Sequence, residues 1–482
     1  MAPDDKEDDF KQKYNELKKE FERAQKEIER LNREKKELER KNKNLEDQLA
    51  LVKHQRKLVL PSPNFKPNIS GPRRKAGAPM GHKGISRTNP RSEDITHEIV
   101  LNPDTCPHCG THLEEPENGD VRFVFDVQPP QPMVIRVTTK RPYCPTCGIR
   151  ITPRSPDFFS KKTFGNGLAI TISVWRMMGI TREKIQFMLK MFYGLNLSKG
   201  AIKDMERFVA KELRDEYETI KVLVQGSKCV GGDETSYRID GKNNWLWVFS
   251  TVQEALFVID KSRGRTVPME ILDENFDGVL VNDGWTGYNS IDHPKQQCLV
   301  HINRQMQRSE VKYGIEPHGF MKDRDPVYTR PGRPHEEFVI FERSLRKMMS
   351  EAVKFDMSHP SLKDRRLAER SFKIRLCSLI DRNYTDKAVL RLVKFLSRHF
   401  EEIFTFVGVP GVPWHNNGAE RDLRPSVVIR KNSYGSRSLL SAKAFETLMT
   451  LFMTCKKREV NFVNWLQDQL SQRALGVFAA RT

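Results

Sequence analysis

The chain has 482 residues, of which 38% are apolar and 30% charged, with 82 Lys and Arg against 63 Asp and Glu for a net charge of +19. No apolar run is long enough to cross a bilayer and the N-terminus MAPDDKEDDFKQK shows no hydrophobic signal region, so the expectation is a protein that stays in the compartment where it is made, cytoplasmic and nucleoid-associated. The length gives room for about two to four domains, and the basic excess favours a nucleic-acid partner over a merely solvated surface.

Residues 1–53 read as a coiled coil. Phe10, Tyr14, Leu17, Phe21, Ala24, Ile28, Leu31, Leu38, Leu45, Leu49 and Val52 alternate between a and d positions, with Lys35 and Asn42 as polar breaks at a. The pattern predicts a homodimer or higher homo-oligomer; the alternative is one charged helix packed on its own protein. Residues 54–97 change to a Pro-, Gly- and Lys/Arg-rich stretch without period, a basic flexible linker able to follow a phosphate backbone.

Residues 98–160 carry CPHCG at Cys106–Gly110 and YCPTCG at Tyr143–Gly148, separated by the β-like runs VRFVFDV and MVIRVTT. Two CxxCG knuckles supply four thiolates, Cys106, Cys109, Cys144 and Cys147, which match a closed, structural Cys₄ zinc ribbon. The other four cysteines (Cys229, Cys298, Cys377 and Cys455) stand alone in apolar or helical stretches and read as buried thiols in a reducing compartment.

Residues 161–225 are read as a helical region. GLAITISVWRMMG is an apolar helix, and the following segment divides at Gly194, with Thr181 and Ser198 as N-caps. Helix, Gly-containing turn and helix make a helix-turn-helix-like pattern, equally compatible with a core helical hairpin; Lys199, Lys203 and Arg207 on the second helix favour DNA.

From 226 to 310 the period changes. KCVGGDETSYRID, NNWLWVFST and EALFVID read as three strands, SRGRTVPMEILDEN as a helix, GVLVNDG as a buried strand and QQCLVHINRQMQ as a strand leading into a helix. This is the order of a ribonuclease-H-like α/β domain, with Asp233 on the central strand and Asp283 just past the neighbouring parallel one. Residues 311–408 read as a helical insertion, its apolar stripes (Phe338, Phe341, Leu345, Met348, Ala352, Phe355; Leu392, Leu396, Phe400, Ile403) being core faces. Residues 409–482 complete the domain, opening on HNNGAERDLRP, whose first helical turn carries Glu420. The whole is a multidomain α+β chain.

Asp233, Asp283 and Glu420 share one chemical sense. Phosphodiester cleavage and transfer use Mg²⁺, a hard cation that prefers carboxylate oxygen and is replaceable by Mn²⁺. Arg421, Arg424, Arg430 and Lys431 would bind the flanking phosphates. Singly, each acid reads as a turn, cap or solvated helix residue; the three contexts in this order, behind a zinc ribbon, carry the inference.

At these residues the chain resembles the DDE transposases of bacterial and archaeal insertion sequences, in particular the insertion sequence sixty-six (TnpC-type) family, over nearly its whole length. GAPMGHKG resembles that family's basic linker, CPHCG with YCPTC its zinc finger, and DETSYRI, NDGWTGY, CLVHINRQM and NNGAERDLRPSVVIRKN the blocks of its catalytic domain. The resemblance implies a triad of Asp233, Asp283 and Glu420, Mg²⁺-dependent cleavage at element ends, and attack of the freed 3′-OH on target DNA. It adds His301, as support for the site, a DNA contact or a core histidine, and Arg304 and Asn417 as DNA contacts. His415 stands where an acidic or polar residue is common, and Gly418 precedes the Ala419–Glu420 pair. Two alternatives stay open: a catalytically retired DNA-binding descendant, and a structure-selective nuclease of the same fold.

Overall fold

The computed structural model describes residues 90–100, 105, 108–113, 121–124, 131–274, 276–317, 327 and 336–476. The predicted coiled coil, the linker up to residue 89 and Cys106 lie outside the described residues. The chain divides into two units, Met1–Val124 and Phe125–Thr482.

In the first unit an antiparallel bridge between Thr105 and His112 brackets the first CxxCG turn. In the second, β1 (Tyr143–Cys144) and β2 (Ile149–Arg150) form a hairpin around the other, pairing Tyr143 with Arg150 and Cys144 with Ile149. The glycine after each second cysteine is left-handed, φ +72° at Gly110 and +67° at Gly148, a conformation that L side chains resist, so both knuckles use the same turn chemistry. The β-like runs between them form no strand among the described residues: 131–142 carry no ladder, and Met133, Val134 and Ile135 are exposed. Alternating apolar residues become a strand only where a partner supplies the hydrogen bonds.

Four helices follow: α1 (Asn166–Met177), α2 (Arg182–Tyr193), α3 (Lys199–Glu212) and α4 (Arg214–Gln225). Thr181 caps α2 by accepting from the Lys184 N–H at 3.3 Å, and Ser198 caps α3 by accepting from the Ala201 N–H at 3.0 Å. α3 packs against α1 and α12 (Leu439–Lys457), burying Ile202, Met205, Phe208 and Val209.

The sheet has five strands in the order β5-β4-β3-β6-β7: β3 (Cys229–Ile239), β4 (Lys242–Ser250), β5 (Ala255–Asp260), β6 (Val279–Asn282) and β7 (Lys295–Gln297). β3, β4 and β5 are an antiparallel meander, whereas β6 is parallel to β3 and β7 parallel to β6. The predicted helix between β5 and β6 is shorter, α5 (Thr266–Ile271), because Ser262 and Gly264 are held in a turn by the Asp260 and Ser262 side chains. β6 is buried on both faces, so Leu280 joins one core while Val279 and Val281 join the other. The outward N–H groups of edge strand β5 are satisfied by α12: Ala255 donates to Thr454 at 3.2 Å, Phe257 to Thr450 at 2.9 Å and Ile259 to the Glu446 carboxylate at 2.6 Å.

The first core joins α1–α4, the meander, α11 (Asn417–Ser433), α12 and α13 (Phe462–Leu475). The second is made by α6 (Leu299–Lys312), α7 (Glu336–Met357), α8 (Leu362–Ile380), α9 (Lys387–Arg398) and α10 (Thr405–Gly408), and the apolar stripes read between 338 and 403 lie in it or against it. One thiol departs from expectation. Cys298 and Cys455 are buried and Cys229 half-buried, but Cys377 is exposed, because Phe372, Leu376 and Leu379 take the core face of α8 and leave Cys377 to donate outward to Asp381 at 3.1 Å. Among the described residues no helix is long and apolar enough to cross a membrane.

Candidate active site

The site is built where β3, β6 and α11 converge. Asp233 lies on central strand β3 opposite Val248 of β4, and Asp283 follows the last residue of β6, the parallel neighbour on the other side. Side chains alternate along a strand, so Gly231 and Asp233 share one face and Gly232 and Glu234 the other. The Gly231 face meets α11: a Cβ there would lie 2.8 Å from Asn416 Oδ1 and 3.3 Å from the Ala419 methyl. Asn416 further ties the start of α11 to the sheet, donating from Nδ2 to the Gly232 carbonyl at 2.6 Å and from its backbone N–H to Cys298 Sγ at 3.2 Å. Glu420, in the first turn of α11, is thereby held on the side of β3 that Asp233 faces.

Close approach at Gly231 gives a prediction. Gly231→Ala should lower stability by roughly 1–3 kcal/mol through overpacking and displace the start of α11. Urea denaturation reads the first effect, and an unchanged midpoint would show that α11 does not depend on this contact.

The electrostatics set Asp233 apart. Burial, first, and the Glu234 carboxylate, with smaller contributions from Asp283 and Glu420, push its carboxyl up to about 7 against one opposing hydrogen bond from the Glu234 N–H. Burial and Asp283 also raise Glu234, against Arg263 and Tyr288. The Asp283 carboxylate is oriented by the Trp285 N–H at 3.0 Å. Arg304 on α6 reaches Glu420 at 3.4 Å and donates to His301 Nε2 at 2.9 Å. Burial lowers the His301 pKa; because Arg304 can only donate, Nε2 accepts and the proton sits on Nδ1, which is buried without a partner. Glu420 is thus paired with Arg304 at 3.4 Å, with His301 Nε2 a little farther off at 3.6 Å.

Among the described residues no three His, Cys, Asp or Glu side chains form a ready-made metal group. The donor chemistry nonetheless fits a divalent cation: hard carboxylate oxygens, one of which burial and its neighbours push up to about 7, a burden that a cation would relieve. Asp422, the other acid near Glu420, is unavailable, being buried against Ser250 at 2.6 Å and ion-paired to Lys457.

The basic residues divide. Asn417, Glu420, Arg421 and Arg424 form one outward stripe of α11, opposite the buried Ala419, Leu423, Ser426 and Ile429. Lys431 is exposed at its end. Arg430 instead binds the edge of β3, donating to Thr235 Oγ1 at 3.0 Å and Ser236 Oγ at 2.8 Å. On α3, Lys199 pairs with Glu183 and Lys203 lies 3.5 Å from Asp204, while Arg207 is engaged by Ser438 and Ser441 at 2.7 and 3.0 Å. The structure does not bring the α3 cations into the cluster around Asp233. Sequence reading missed Glu234, Arg263, Tyr288 and Asn416; the acidic doublet Asp233–Glu234 was the available signal.

Comparison with known families places this α/β chain among the transposases. A family model described as "Transposase IS66 family" matches residues 165–444, and another, "zinc-finger binding domain of transposase IS66", matches residues 103–148. The chain belongs to the IS66 family of transposases. The zinc-finger match supports a structural zinc ion and DNA as the partner. Among relatives, the chain is similar to three proteins of Sinorhizobium fredii. It is 21% identical to uncharacterized protein y4hP over 80% of this chain and 74% of the relative, and 21% identical to uncharacterized protein y4jD over 79% and 77%. It is 38% identical to uncharacterized protein y4jO over a shorter stretch, 17% of this chain and 25% of that protein.

Proposed function

We propose that this chain is a DDE transposase that binds the DNA ends of its element, cleaves them and transfers the freed 3′-OH ends into target DNA. The observation that carries the reading is the convergence of β3, the end of β6 and the first turn of α11 on half-buried Asp233, whose carboxyl is pushed up to about 7 by burial and by the Glu234, Asp283 and Glu420 carboxylates. The sheet order supports a ribonuclease-H-like catalytic domain, an antiparallel meander extended on the β3 side by two parallel strands.

In this reading Asp233, Asp283 and Glu420 hold the divalent cations. Mg²⁺, or Mn²⁺ in its place, supplies activation of the attacking oxygen and charge stabilisation at the leaving oxygen. The chain's own residues do the rest. β3 presents Asp233 from mid-strand and Asp283 follows the end of its parallel neighbour β6, and Arg304 fixes the direction of Glu420. Asn417, Arg421, Arg424 and Lys431 meet phosphates flanking the scissile bond, and Lys199 and Lys203 belong to a more distant DNA-facing region. His301 supports Arg304. Cys106, Cys109, Cys144 and Cys147 bind the structural zinc, and residues 1–53 join copies of the chain; both assignments rest on sequence pattern.

The test is the full chain with Mg²⁺ and a duplex bearing the element's ends, beside Asp283→Asn. Nicked ends and joined products from the native protein, with a loss of about 10³-fold or more in the variant, are expected. Cleavage that survives Asp283→Asn would refute the triad. Binding without turnover would point to a retired DNA-binding protein, and cutting without joining to a nuclease.

A further inference from the structure

Glu234 is buried beside the proposed triad without belonging to it, its side chain 2% exposed. It faces away from α11, toward the loop after β6, as does Gly232, whose added Cβ would lie 3.0 Å from the Tyr288 hydroxyl. Tyr288 donates to one Glu234 oxygen at 3.2 Å; Arg263 donates to the other twice, from Nε at 3.1 Å and Nη2 at 2.9 Å. The guanidinium carbon lies over two indoles, 3.6 Å from the centre of the Trp285 ring and 4.5 Å from that of Trp245 on β4. Trp285 returns a bond from its indole N–H to the Arg263 carbonyl at 3.1 Å, and its backbone N–H orients Asp283 at 3.0 Å. The loop has no slack: a Cβ at Gly287 would lie 2.8 Å from Trp285 Nε1.

These contacts close a circuit from the residue after Asp233 to the residue that orients Asp283. We propose that Arg263 is a positioning residue, clamped by Glu234 and stacked on Trp285, that fixes the Asp283 carboxylate relative to β3 and thereby sets the site's affinity for its divalent cation. The proposal rests on Asp283 being a metal ligand. The Arg263 fork and flat face are both used, so lysine is an incomplete substitute.

The experiment is calorimetric titration of the full chain with Mn²⁺, with Mg²⁺-dependent end cleavage as the second readout. Arg263→Ala is expected to weaken Mn²⁺ binding by about ten-fold or more. It should raise the Mg²⁺ concentration at half-maximal cleavage to match, while the rate at saturating Mg²⁺ falls far less. Arg263→Lys, which keeps the ion pair with Glu234 and gives up the stacked plane, is expected to lie between, a gradation that loss of fold would not produce. Asp283→Asn separates the two failures. If it loses Mn²⁺ and Arg263→Ala does not, the clamp is refuted and the triad stands. If it binds Mn²⁺ like the native protein, the metal reading fails and the clamp's role with it.

Discussion

Asp233→Asn will raise the thermal midpoint of the metal-free protein at pH 8 while abolishing end cleavage. The Asp233 carboxyl moves from its ordinary 3.8 to about 7, first because burial opposes its charge and then because Glu234, Asp283 and Glu420 repel it. In the unfolded chain it ionises near 3.8. Between that pH and about 7 the folded state therefore holds one proton more than the unfolded state, so stability falls as pH rises through the window and this penalty is complete above it. Asparagine has no charge to bury. The difference approaches about 4 kcal/mol as a ceiling, a shift of several degrees in a chain of this size, and vanishes below pH 4. Saturating Mg²⁺ should narrow the gap, since ligand at about 100 Kd adds about 2.7 kcal/mol to the native protein and, on the proposed reading of Asp233 as a ligand, little to the variant. Melting both proteins at pH 4 and pH 8, with and without Mg²⁺, tests the sign in each condition. Equal midpoints at pH 8 without metal would remove Asp233 from the charged cluster, and undiminished cleavage by the variant would remove it from the chemistry.

The parts legible in the sequence are those governed by local rules. Ser198 and Thr181 are capping residues at the turn-to-helix transitions they mark, and β6 reads as a continuous apolar run because both its faces are covered. The positions of Asp233 on the central strand and Asp283 past its parallel neighbour follow from element order. The illegible parts depend on long-range partners. VRFVFDV and MVIRVTT have the composition of strands, but the ladder that would make them so is missing among the described residues. Cys377 resembles the other lone cysteines until the apolar triplet Phe372, Leu376 and Leu379 fixes which face of α8 turns inward. Arg207 and Arg430 read as free phosphate-binding cations, yet their guanidinium groups meet serine and threonine oxygens 195 to 234 residues distant in the chain. Arg263 lies in an unremarkable SRGR run, and only folding brings Glu234, Trp245 and Trp285 to it.

Cys144→Ser will strip zinc from the protein and weaken its hold on element ends, with the helical and sheet core left intact. β1 and β2 have two residues each, and Tyr143, Ile149 and Ile151 around them are 57%, 55% and 46% exposed, so the hairpin has no apolar core of its own. A lone two-stranded hairpin is marginal in water, and small zinc modules draw their folding free energy from the metal. The Cys147 backbone N–H, with its thiol, already holds the Cys144 thiol below the ordinary cysteine range, which favours the thiolate that zinc requires. Zinc content measured after gel filtration should therefore fall, end-DNA affinity should drop by about ten-fold or more, and the melting of the core should not move. Cys298→Ser is the informative contrast. That thiol is buried at the base of α6 and accepts the Asn416 N–H at the start of α11, so its loss should disturb the arrangement around Glu420 and spare the zinc. A Cys144→Ser protein that retains zinc and full end affinity would dissociate the CxxCG knuckles from both roles, whereas the opposite outcomes at Cys144 and Cys298 would assign end binding and catalysis to separate parts of the chain.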